Sequence, residues 1–470
     1  MARTMRPLRL LALVTPVLVL LPIAIGCEDT GSSSGATFNP EAGPGFEAGP
    51  TPIPEGGLPA EAGADVVVPP VVKGITVTVL DGATPAPNVR VILNDAAGAV
   101  IGDLKTDATG KVTAATAPSM VTVFSEFRSK GTYPYPQTFL GVVDGDNLRV
   151  NLADDRPEST NVGQFNVSLG TGFTNATNYE VTVGRNCSNS TNTLGAVVVD
   201  LSSDCFAPQA AVLASAGDQV GILAYGFLKN VAKPAAVGVP QNVGPLTFAA
   251  KGATLVTQAN RPPNSNPSAE LLAIANGAGF YLPSTGDLVE VGLTFPTATG
   301  FADAYQVTGR ITVSGATTNQ KTLIRREATT APASATLAID FANVLPSISN
   351  ATLTNATTAR PTVTVAPAAP LSTADGMIVR VSFQNFSWRF IAPATTTTFQ
   401  VPAVPANAGT FLPSGSSTVD EIIVADSTLI PSYTEIKKLS IGPNVSALLD
   451  SSIPLPATGT VRLLFWTNTD

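Results

Sequence analysis

The stretch Ile75-Thr76-Val77-Thr78-Val79-Leu80-Asp81 decides the fold. Its branched apolar residues alternate with threonine, which is the period of a strand buried on one face. Similar segments recur along the 470 residues, and only 13% of all residues are charged. Thr, Val and Ala abound, and β-branched residues favour sheets over helical bundles. The sequence therefore predicts an all-β protein built from tandem β-sandwich modules.

Short strands and tight turns surround this stretch and predict a first module over residues 73–155. Further strands are expected at Val89–Leu93, Met120–Phe124 and Leu148–Leu152. Gly, Asp and Asn clusters between them are typical of turns, since Gly adopts positive φ and Asp bonds to the nearby backbone. The turns fall at Asp81-Gly82, Asp95-Ala96-Ala97-Gly98 and Thr106-Asp107-Ala108-Thr109-Gly110.

The order of these motifs resembles the carboxypeptidase regulatory-like, transthyretin-like family. The residues that carry the resemblance are Asp81, Pro87, Asp95, Gly98, Thr106, Asp107, Gly110 and Val112. The family usually has an aromatic residue after T-D-x-x-G, where this chain has Val112, and of its P-x-G-x-Y ending only Pro118 is present. The resemblance implies a non-catalytic seven-stranded sandwich, of the kind that serves as an accessory, spacer or binding domain.

Three further β domains are predicted, over residues 156–255, 256–365 and 366–470, with Ig-like or transthyretin-like sandwich architecture. Alternation at Phe165, Val167 and Leu169 opens the second domain. Val289, Val291 and Leu293 alternate in the third. Residues 268–276 of that domain fit a short helix after Pro267 or a buried strand. The fourth domain contains Met377–Phe383, Trp388–Phe390 and Val461–Trp466 as strands.

The N-terminal residues 1–26 have the pattern of an export signal. Arg3, Arg6 and Arg9 precede an apolar run from Leu10 to Ile25, too short for a membrane-spanning helix. The sequence Ala24-Ile25-Gly26-Cys27 that follows resembles the lipobox of bacterial lipoproteins. The resemblance implies cleavage before Cys27, acylation of Cys27 and anchoring in a membrane. Glu28 after the cysteine favours the outer membrane over the inner membrane, and the folded part would face either the periplasm or the cell exterior.

Residues 27–72 are predicted to form a disordered tether behind the acylated cysteine. The segment repeats Glu-Ala-Gly-Pro and has Phe38 and Phe46 as its aromatic residues. Such a composition buries too little apolar surface to offset the entropy lost on folding. Its expected role is to hold the sandwich modules away from the membrane.

Charge and residue usage exclude several functions. The net charge is −8, which gives no electrostatic reason to bind nucleic acid. The chain contains no histidine, so Ser-His-Asp catalysis and His-ligated zinc are excluded. Besides Cys27 only Cys187 and Cys205 remain, and in an oxidising compartment they are expected to form a disulfide. We therefore predict no enzymatic activity, no cofactor and no metal centre.

A few residues are candidates for ligand binding. Tyr133, Tyr135, Trp388 and Trp466 are aromatic residues that would suit a sugar-binding surface if exposed, and core packing is the alternative for each. The turn Asp144-Gly145-Asp146-Asn147 offers oxygen ligands for calcium or serves simply as a hairpin turn. Asp287 with Glu290, or Asp420 with Glu421, could form a glycosidase pair. Asp420 and Glu421 are a poor pair because neighbours on a strand face opposite sides.

The sequence thus favours a non-catalytic cell-envelope lipoprotein that displays β-sandwiches to bind polysaccharide or protein. Two alternatives remain. One is a structural subunit of an envelope complex, which would bury a module face or an edge strand against a partner. The more remote one is a glycan-active enzyme that uses paired carboxylates.

Overall fold

The computed structural model describes residues 74–127, 133–152, 160–184, 187–205, 209–259, 265–284, 293–313, 319–330, 336–339, 341, 344–439, 455 and 459–468. Within these ranges the fold is nearly all β, in several sheets that pack as sandwiches, as the sequence predicts. The predicted signal, Cys27 and the tether lie outside the described residues. Within the described residues, no helix has both the length and the apolar character needed to span a membrane.

The first region contains each strand that the sequence predicts for it. Its turns also have the predicted chemistry, since Asp107 Oδ1 accepts bonds from the N–H groups of Thr109 and Lys111, while Gly98 and Gly110 have φ of 74° and 71°. The strands are β1 (Ile75–Asp81), β2 (Thr84–Pro85), β3 (Arg90–Asn94), β4 (Val100–Lys105), β5 (Lys111–Ala114), β6 (Met120–Val123), β7 (Glu126–Phe127), β8 (Tyr133–Pro134), β9 (Gln137–Leu140) and β10 (Asn147–Asn151).

The second region forms two sheets from its own strands, in the orders β14-β11-β17 and β13-β12-β15-β16-β18. The alternating Phe165, Val167 and Leu169 point into the core between them. The strands are β11 (Asn161–Ser168), β12 (Asn178–Val183), β13 (Cys187–Thr191), β14 (Ala196–Ser202), β15 (Ala210–Gly217), β16 (Ile222–Val231), β17 (Gln241–Val243) and β18 (Ala249–Ala250).

The third region resolves the choice left open by its sequence, because residues 268–276 lie almost entirely in a strand, β20, rather than in a helix. Val289 and Val291 lie outside the described residues. The strands are β19 (Thr254–Ala259), β20 (Ser265–Ala275), β21 (Ala278–Leu282), β22 (Leu293–Pro296), β23 (Ala304–Val313), β24 (Asn319–Thr330) and β25 (Thr336–Ile339).

The fourth region, counted here from Ile348 because β26 and β27 pair with β30, contains seven described strands and a short helix. Helix α1 (Tyr433–Lys438) begins after Ser432, whose hydroxyl accepts a bond from the Glu435 N–H, as a helix cap does. The strands are β26 (Ile348–Thr354), β27 (Thr362–Pro367), β28 (Gly376–Phe383), β29 (Ser387–Ala392), β30 (Thr398–Gln400), β31 (Ser417–Ser427) and β32 (Gly459–Asn468).

One large sheet connects three of the four regions. Its twelve described strands follow the order β21-β20-β23-β24-β32-β31-β28-β29-β9-β6-β3-β4. The antiparallel β24–β32 pair joins the third region to the fourth. The parallel β29–β9 pair, with Phe390 opposite Thr138, joins the fourth region to the first. Backbone hydrogen bonds therefore cross two of the sequence-based domain boundaries.

The two faces of this sheet cover two separate cores. One face carries Trp388, Phe390 and Trp466 into a large core built mainly from the third and fourth regions, with Leu140 of the first region and Ala211, Leu213 and Tyr225 of the second at its edge. The other carries Phe139, Ile391 and Ile423 into the core beneath β1 and β10, and Ile436 of α1 closes that core. The first module is therefore a sandwich completed by residues that lie about 250 positions or more further along the chain.

Candidate functional site

A cleft of about 680 Å³ opens at the end of the first module. This volume is in the range of small-ligand sites. The walls come from β3, β4, the end of β6 and the segment before and within the 3₁₀ turn at Gly409–Phe411. We call it the Arg90 cleft, and its lining residues are Asn88, Val89, Arg90, Asp103, Lys105, Phe124, Glu126, Leu152, Asn407, Ala408 and Phe411.

Arg90 is the organising side chain of the cleft. Strand β3 buries Val91 and Leu93 in the first core, so alternation directs Arg90 and Ile92 to the opposite face. The Arg90 Nε and Nη2 atoms donate to the two carboxylate oxygens of Asp103 at 2.9 and 2.6 Å. These paired bonds raise the pKa of Arg90 and lower that of Asp103. Both groups are thus held in their charged forms.

Arg90 also fixes the far wall of the cleft. Its Nη1 atom donates to the backbone oxygen of Asn407 at 3.1 Å, although the two residues are 317 positions apart. The guanidinium carbon lies 5.5 Å from the centre of the Phe124 ring, and Phe124 stacks on Phe411 with centroids 4.4 Å apart. Cation–π contact and ring stacking favour this arrangement. The cleft therefore combines aromatic rings with planar polar groups.

The turn at Asp95–Gly98 bonds to the part of the chain that leads into the 3₁₀ turn at Gly409–Phe411. The Gly98 carbonyl accepts a bond from the Ala403 N–H at 2.8 Å, and Arg360 Nη2 donates to Ala97 O at 2.8 Å. A Cβ on Gly98 would lie 2.5 Å from that Arg360 nitrogen, and φ is already positive there. Gly98 thus permits the chain to approach closely, in addition to closing a turn.

Sequence reasoning did not find this cleft. Strand β4, which supplies Asp103 and Lys105, was not among the predicted strands, because its apolar residues do not alternate. The available signal was the spacing of the turns at Asp95–Gly98 and Thr106–Gly110, which leaves room for one strand between them.

The backbone of Tyr135 is bonded near the cleft, since its N–H donates at 2.8 Å to the carbonyl of Ser125, which lies between the lining residues Phe124 and Glu126. Its ring is half-buried, and the Arg389 guanidinium carbon lies 5.0 Å from the ring centre. Strand β8 pairs Tyr133 with Phe127 through the backbone. The Tyr135 ring is therefore placed against the cation of Arg389.

A β-bulge corrects the argument about Asp420 and Glu421. Opposite Arg380 the register shifts by one residue, so that Arg380 pairs with Glu421 and Val381 with Val419. Both carboxylates then reach Arg380, at 3.6 Å for Asp420 and 3.4 Å for Glu421. The expectation that the two acids face opposite sides was wrong, because a bulge re-aims one side chain.

The two carboxylates are engaged by other side chains. Ser382 Oγ donates to Asp420 Oδ2, and Thr418 Oγ1 donates to Asp420 Oδ1 at 2.9 Å. Burial opposes the charge of Arg380, but Glu421, Tyr135 and Asp420 outweigh that effect, so the pKa of Arg380 is raised. The arrangement is an ion cluster around one guanidinium. The other candidate pair, Asp287 with Glu290, lies outside the described residues.

Both tryptophans are core residues, which corrects their assignment as ligand-binding aromatics. Trp388 is 0% exposed and Trp466 is 2% exposed. Trp388 Nε1 donates to Thr138 Oγ1 at 2.8 Å, so its polar atom is satisfied internally. Both residues are buried because alternation along their strands directs them to the sheet face that packs into the large core. Neither indole is available to a ligand.

The turn proposed for calcium contains a buried ion pair. Asp146 Oδ2 accepts a bond from Lys437 Nζ of α1, and the two side chains are 3% and 2% exposed. The same oxygen accepts the Val143 N–H at 2.8 Å, while Asp144 Oδ1 accepts the Ala117 N–H at 3.1 Å. The described residues include no cluster of three or more acidic or cysteine side chains suited to a metal. The ammonium group of Lys437 therefore occupies the position beside Asp146 that a metal ion would take.

Cys187 and Cys205 form the predicted disulfide, with Cα atoms 5.9 Å apart. The bond joins the start of β13 to the 3₁₀ turn at Ser203–Cys205, and both cysteines belong to the core of the second module. It therefore staples that module and lies away from the cleft.

The fold and the cleft define this chain as an all-β multi-sandwich protein with a ligand-sized cleft at its first module. No protein-family model and no curated protein sequence matches it.

Proposed function

We propose that the protein is a non-catalytic, lipid-anchored protein of the bacterial cell envelope that binds polysaccharide in the Arg90 cleft. The observation that carries the proposal is the composition of the cleft. The paired Arg90 and Asp103, the amides of Asn88 and Asn407 and the ring of Phe411 line one concave surface. Sugar hydroxyls suit planar hydrogen-bonding groups, and sugar rings pack on aromatic faces.

The absence of catalysis in this proposal rests on side-chain chemistry. The sequence has no histidine. Of the two carboxylates that line the cleft, Asp103 is bonded through both oxygens to Arg90. An acid held in its charged form by such a pair is not a proton donor at neutral pH.

Binding is tested by titrating the purified full chain with a panel of envelope and extracellular polysaccharides. We expect Arg90→Gln and Glu126→Gln to weaken binding of any active glycan about tenfold or more, since each removes a charged hydrogen-bonding group. The matched control is Glu180→Gln, an exposed acid on β12 of the second module. Equal binding by all three variants would contradict the assignment to the cleft.

Anchoring is tested separately through Cys27. Metabolic labelling with a fatty acid should label the wild type and not Cys27→Ser, while Cys187→Ser should remain labelled. The proposal of a lipid anchor fails if the label persists in Cys27→Ser.

The side of the membrane is tested by digesting intact cells with a protease of broad specificity. The segment at residues 235–240 is exposed throughout, with Val237 at 63% and Val239 at 64%, so we expect the first cut there. Cleavage on intact cells supports display at the surface. Cleavage only after permeabilisation of the outer membrane places the protein in the periplasm, which contradicts extracellular adhesion.

A second candidate function is assembly of an envelope complex. Strand β4 favours it, because β4 ends the large sheet and pairs with β3 alone among the described strands. Exposed edge strands of this kind are sites of strand addition.

A further inference from the structure

Strand β4 exposes side chains as well as an edge. Val100 is 37% exposed and Ile101 is 58% exposed. Asp103 has a side chain that is 39% exposed, and Lys105 is exposed as well. The edge therefore carries two apolar residues and two opposite charges that are accessible to another chain.

The hydrogen-bond pattern shows which backbone groups of β4 point outward. The Thr106 N–H donates to Val89 O at 3.0 Å, and the Val89 N–H donates to Thr106 Oγ1 at 2.9 Å. The Thr106 carbonyl accepts the Asn88 N–H at 2.9 Å, so the ladder is irregular at this end. On the other side of β3 the Phe124 N–H donates to Arg90 O at 3.0 Å, so the backbone groups of Arg90 and, two residues on, of Ile92 face β6. Because these directions alternate along a strand, the backbone groups of Val91 and Leu93 face β4. In the observed register, Leu104 opposite Val91 bonds inward to β3. The N–H and C=O groups of Asp103 and Lys105 consequently point away from β3.

We propose that β4 pairs antiparallel with β4 of a second copy of this chain, with Leu104 opposite Leu104 at the two-fold axis. In that register Asp103 of each chain lies directly opposite Lys105 of the other. The outward N–H and C=O groups of these two residues then form four backbone hydrogen bonds across the axis. Opposite charges directly across a strand pair are favourable, and they occur twice because of the symmetry.

Charge selects this register over its neighbour. A pairing centred on Asp103 would also bond the outward groups, but it places the two Asp103 carboxylates opposite each other, which is unfavourable. Two copies paired through Leu104 would form one continuous sheet and would place two Arg90 clefts beside the axis, since Asp103 and Lys105 line both the edge and the cleft. The inference concerns the edge and does not require that the cleft bind a glycan.

The test is a cysteine at the axis, Leu104→Cys, in the full-length exported protein. Directly opposite residues of a non-hydrogen-bonded pair have Cα atoms about 4.5 Å apart, which a disulfide can bridge. The native Cys187 and Cys205 are already bonded to each other. We expect a disulfide-linked homodimer on non-reducing gels, because anchoring in one membrane raises the local concentration of the partners. The control is Lys111→Cys, an exposed position on β5, which should remain monomeric.

A charge reversal tests the register. Adding Lys105→Glu to Leu104→Cys places a carboxylate opposite Asp103 twice, and we expect the cross-linked fraction to fall about tenfold or more. Lys251→Glu makes an equal charge change at an exposed site of the second region, and adding it to Leu104→Cys should leave the cross-linked fraction unchanged. Equal cross-linking by Lys111→Cys, no homodimer from Leu104→Cys, or a mixed disulfide with a different protein would each overturn self-pairing. These readouts use no glycan, so they do not depend on the binding test of the cleft.

Discussion

The first and second modules are both small sandwiches, but they are completed in different ways. The second module builds both of its sheets from strands between Asn161 and Ala250, and a disulfide lies within it. The first module takes its core partners Ile391, Ile423 and Ile436 from the far end of the chain. The core of the second module is thus built from local residues, while the core of the first includes residues of the fourth region, and we expect the first module to depend on that region for stability.

The largest expected effect comes from breaking the ion pair that fixes α1 to the first module. Asp146→Asn leaves the Lys437 ammonium buried without a counter-charge, and we expect a loss of about 3–5 kcal/mol in the free energy of unfolding. Hydrogen exchange should rise in β1 and β10 and stay unchanged in β12. The control is Asp146→Leu with Lys437→Met, which removes both charges and should recover most of the loss. Equal exchange in β12 and β1 would contradict separate completion of the modules.

The converse change acts on the second module. Cys187→Ser with Cys205→Ser opens a link between residues 18 positions apart, and we expect a loss of about 3 kcal/mol by the chain-entropy estimate. Exchange should rise in β12 and β14, with β1 as the unaffected reference. If the first module loosens equally, the second module is not the local unit described above.

A smaller effect is expected where α1 meets the parallel strand pair. The Tyr433 hydroxyl bonds to the carbonyl oxygens of Leu140 and Ile391, at 2.6 and 2.8 Å, at the ends of β9 and β29. Burial raises the pKa of this phenol, which stays protonated and able to donate. We expect Tyr433→Phe to cost about 1–2 kcal/mol in chemical denaturation, since it removes the one buried O–H that these two carbonyl oxygens share. Tyr281→Phe, at a ring that is 46% exposed, is the matched control.

The difference between the modules also explains what the sequence could predict. Turn chemistry and alternation are local, so four strands of the first module and its Asp and Gly turns follow from neighbouring residues. The disulfide follows from the count of cysteines, since only Cys187 and Cys205 remain besides Cys27. The pattern at residues 268–276 fitted either a helix or a strand, and in the structure these residues lie almost entirely in strand β20. The all-β class is therefore readable from short windows.

The cleft and the ion cluster were not predictable in this way. Arg90 meets Asn407 across 317 positions, and no local period carries that information. The bulge at Asp420 reverses the rule of alternation on which the sequence argument rested. Burial of both tryptophans depends on which sheet face meets the large core. That face follows from the pairing of β29 with β9 for Trp388 and of β32 with β24 and β31 for Trp466. Long-range register therefore determines the site.

The weakest expected effect concerns the contact between the second and third regions. Lys229 Nζ on β16 lies 2.7 Å from Asp303 Oδ1, and this bond lowers the pKa of Asp303. A lowered folded-state pKa contributes stability that is present above the unfolded value of about 3.9 and is lost as the pH falls through the folded value. Because Asp303 is 55% exposed, Asp303→Asn should cost only about 0.5 kcal/mol at pH 7.

The pH dependence of the stability difference between the wild type and Asp303→Asn tests the charge pair more directly than its size at pH 7. Denaturation of the wild type and Asp303→Asn should give unfolding free energies that differ at pH 7 and converge as the pH falls below the lowered pKa of Asp303, where the carboxylate is protonated. High salt should also reduce the difference, because the pair is near the surface. Asp200→Asn is the control, since Asp200 bonds to the uncharged Gln164 within the second module. A difference that persists at low pH and high salt would show that Asp303 acts through packing, and that the two regions are not joined by this charge pair.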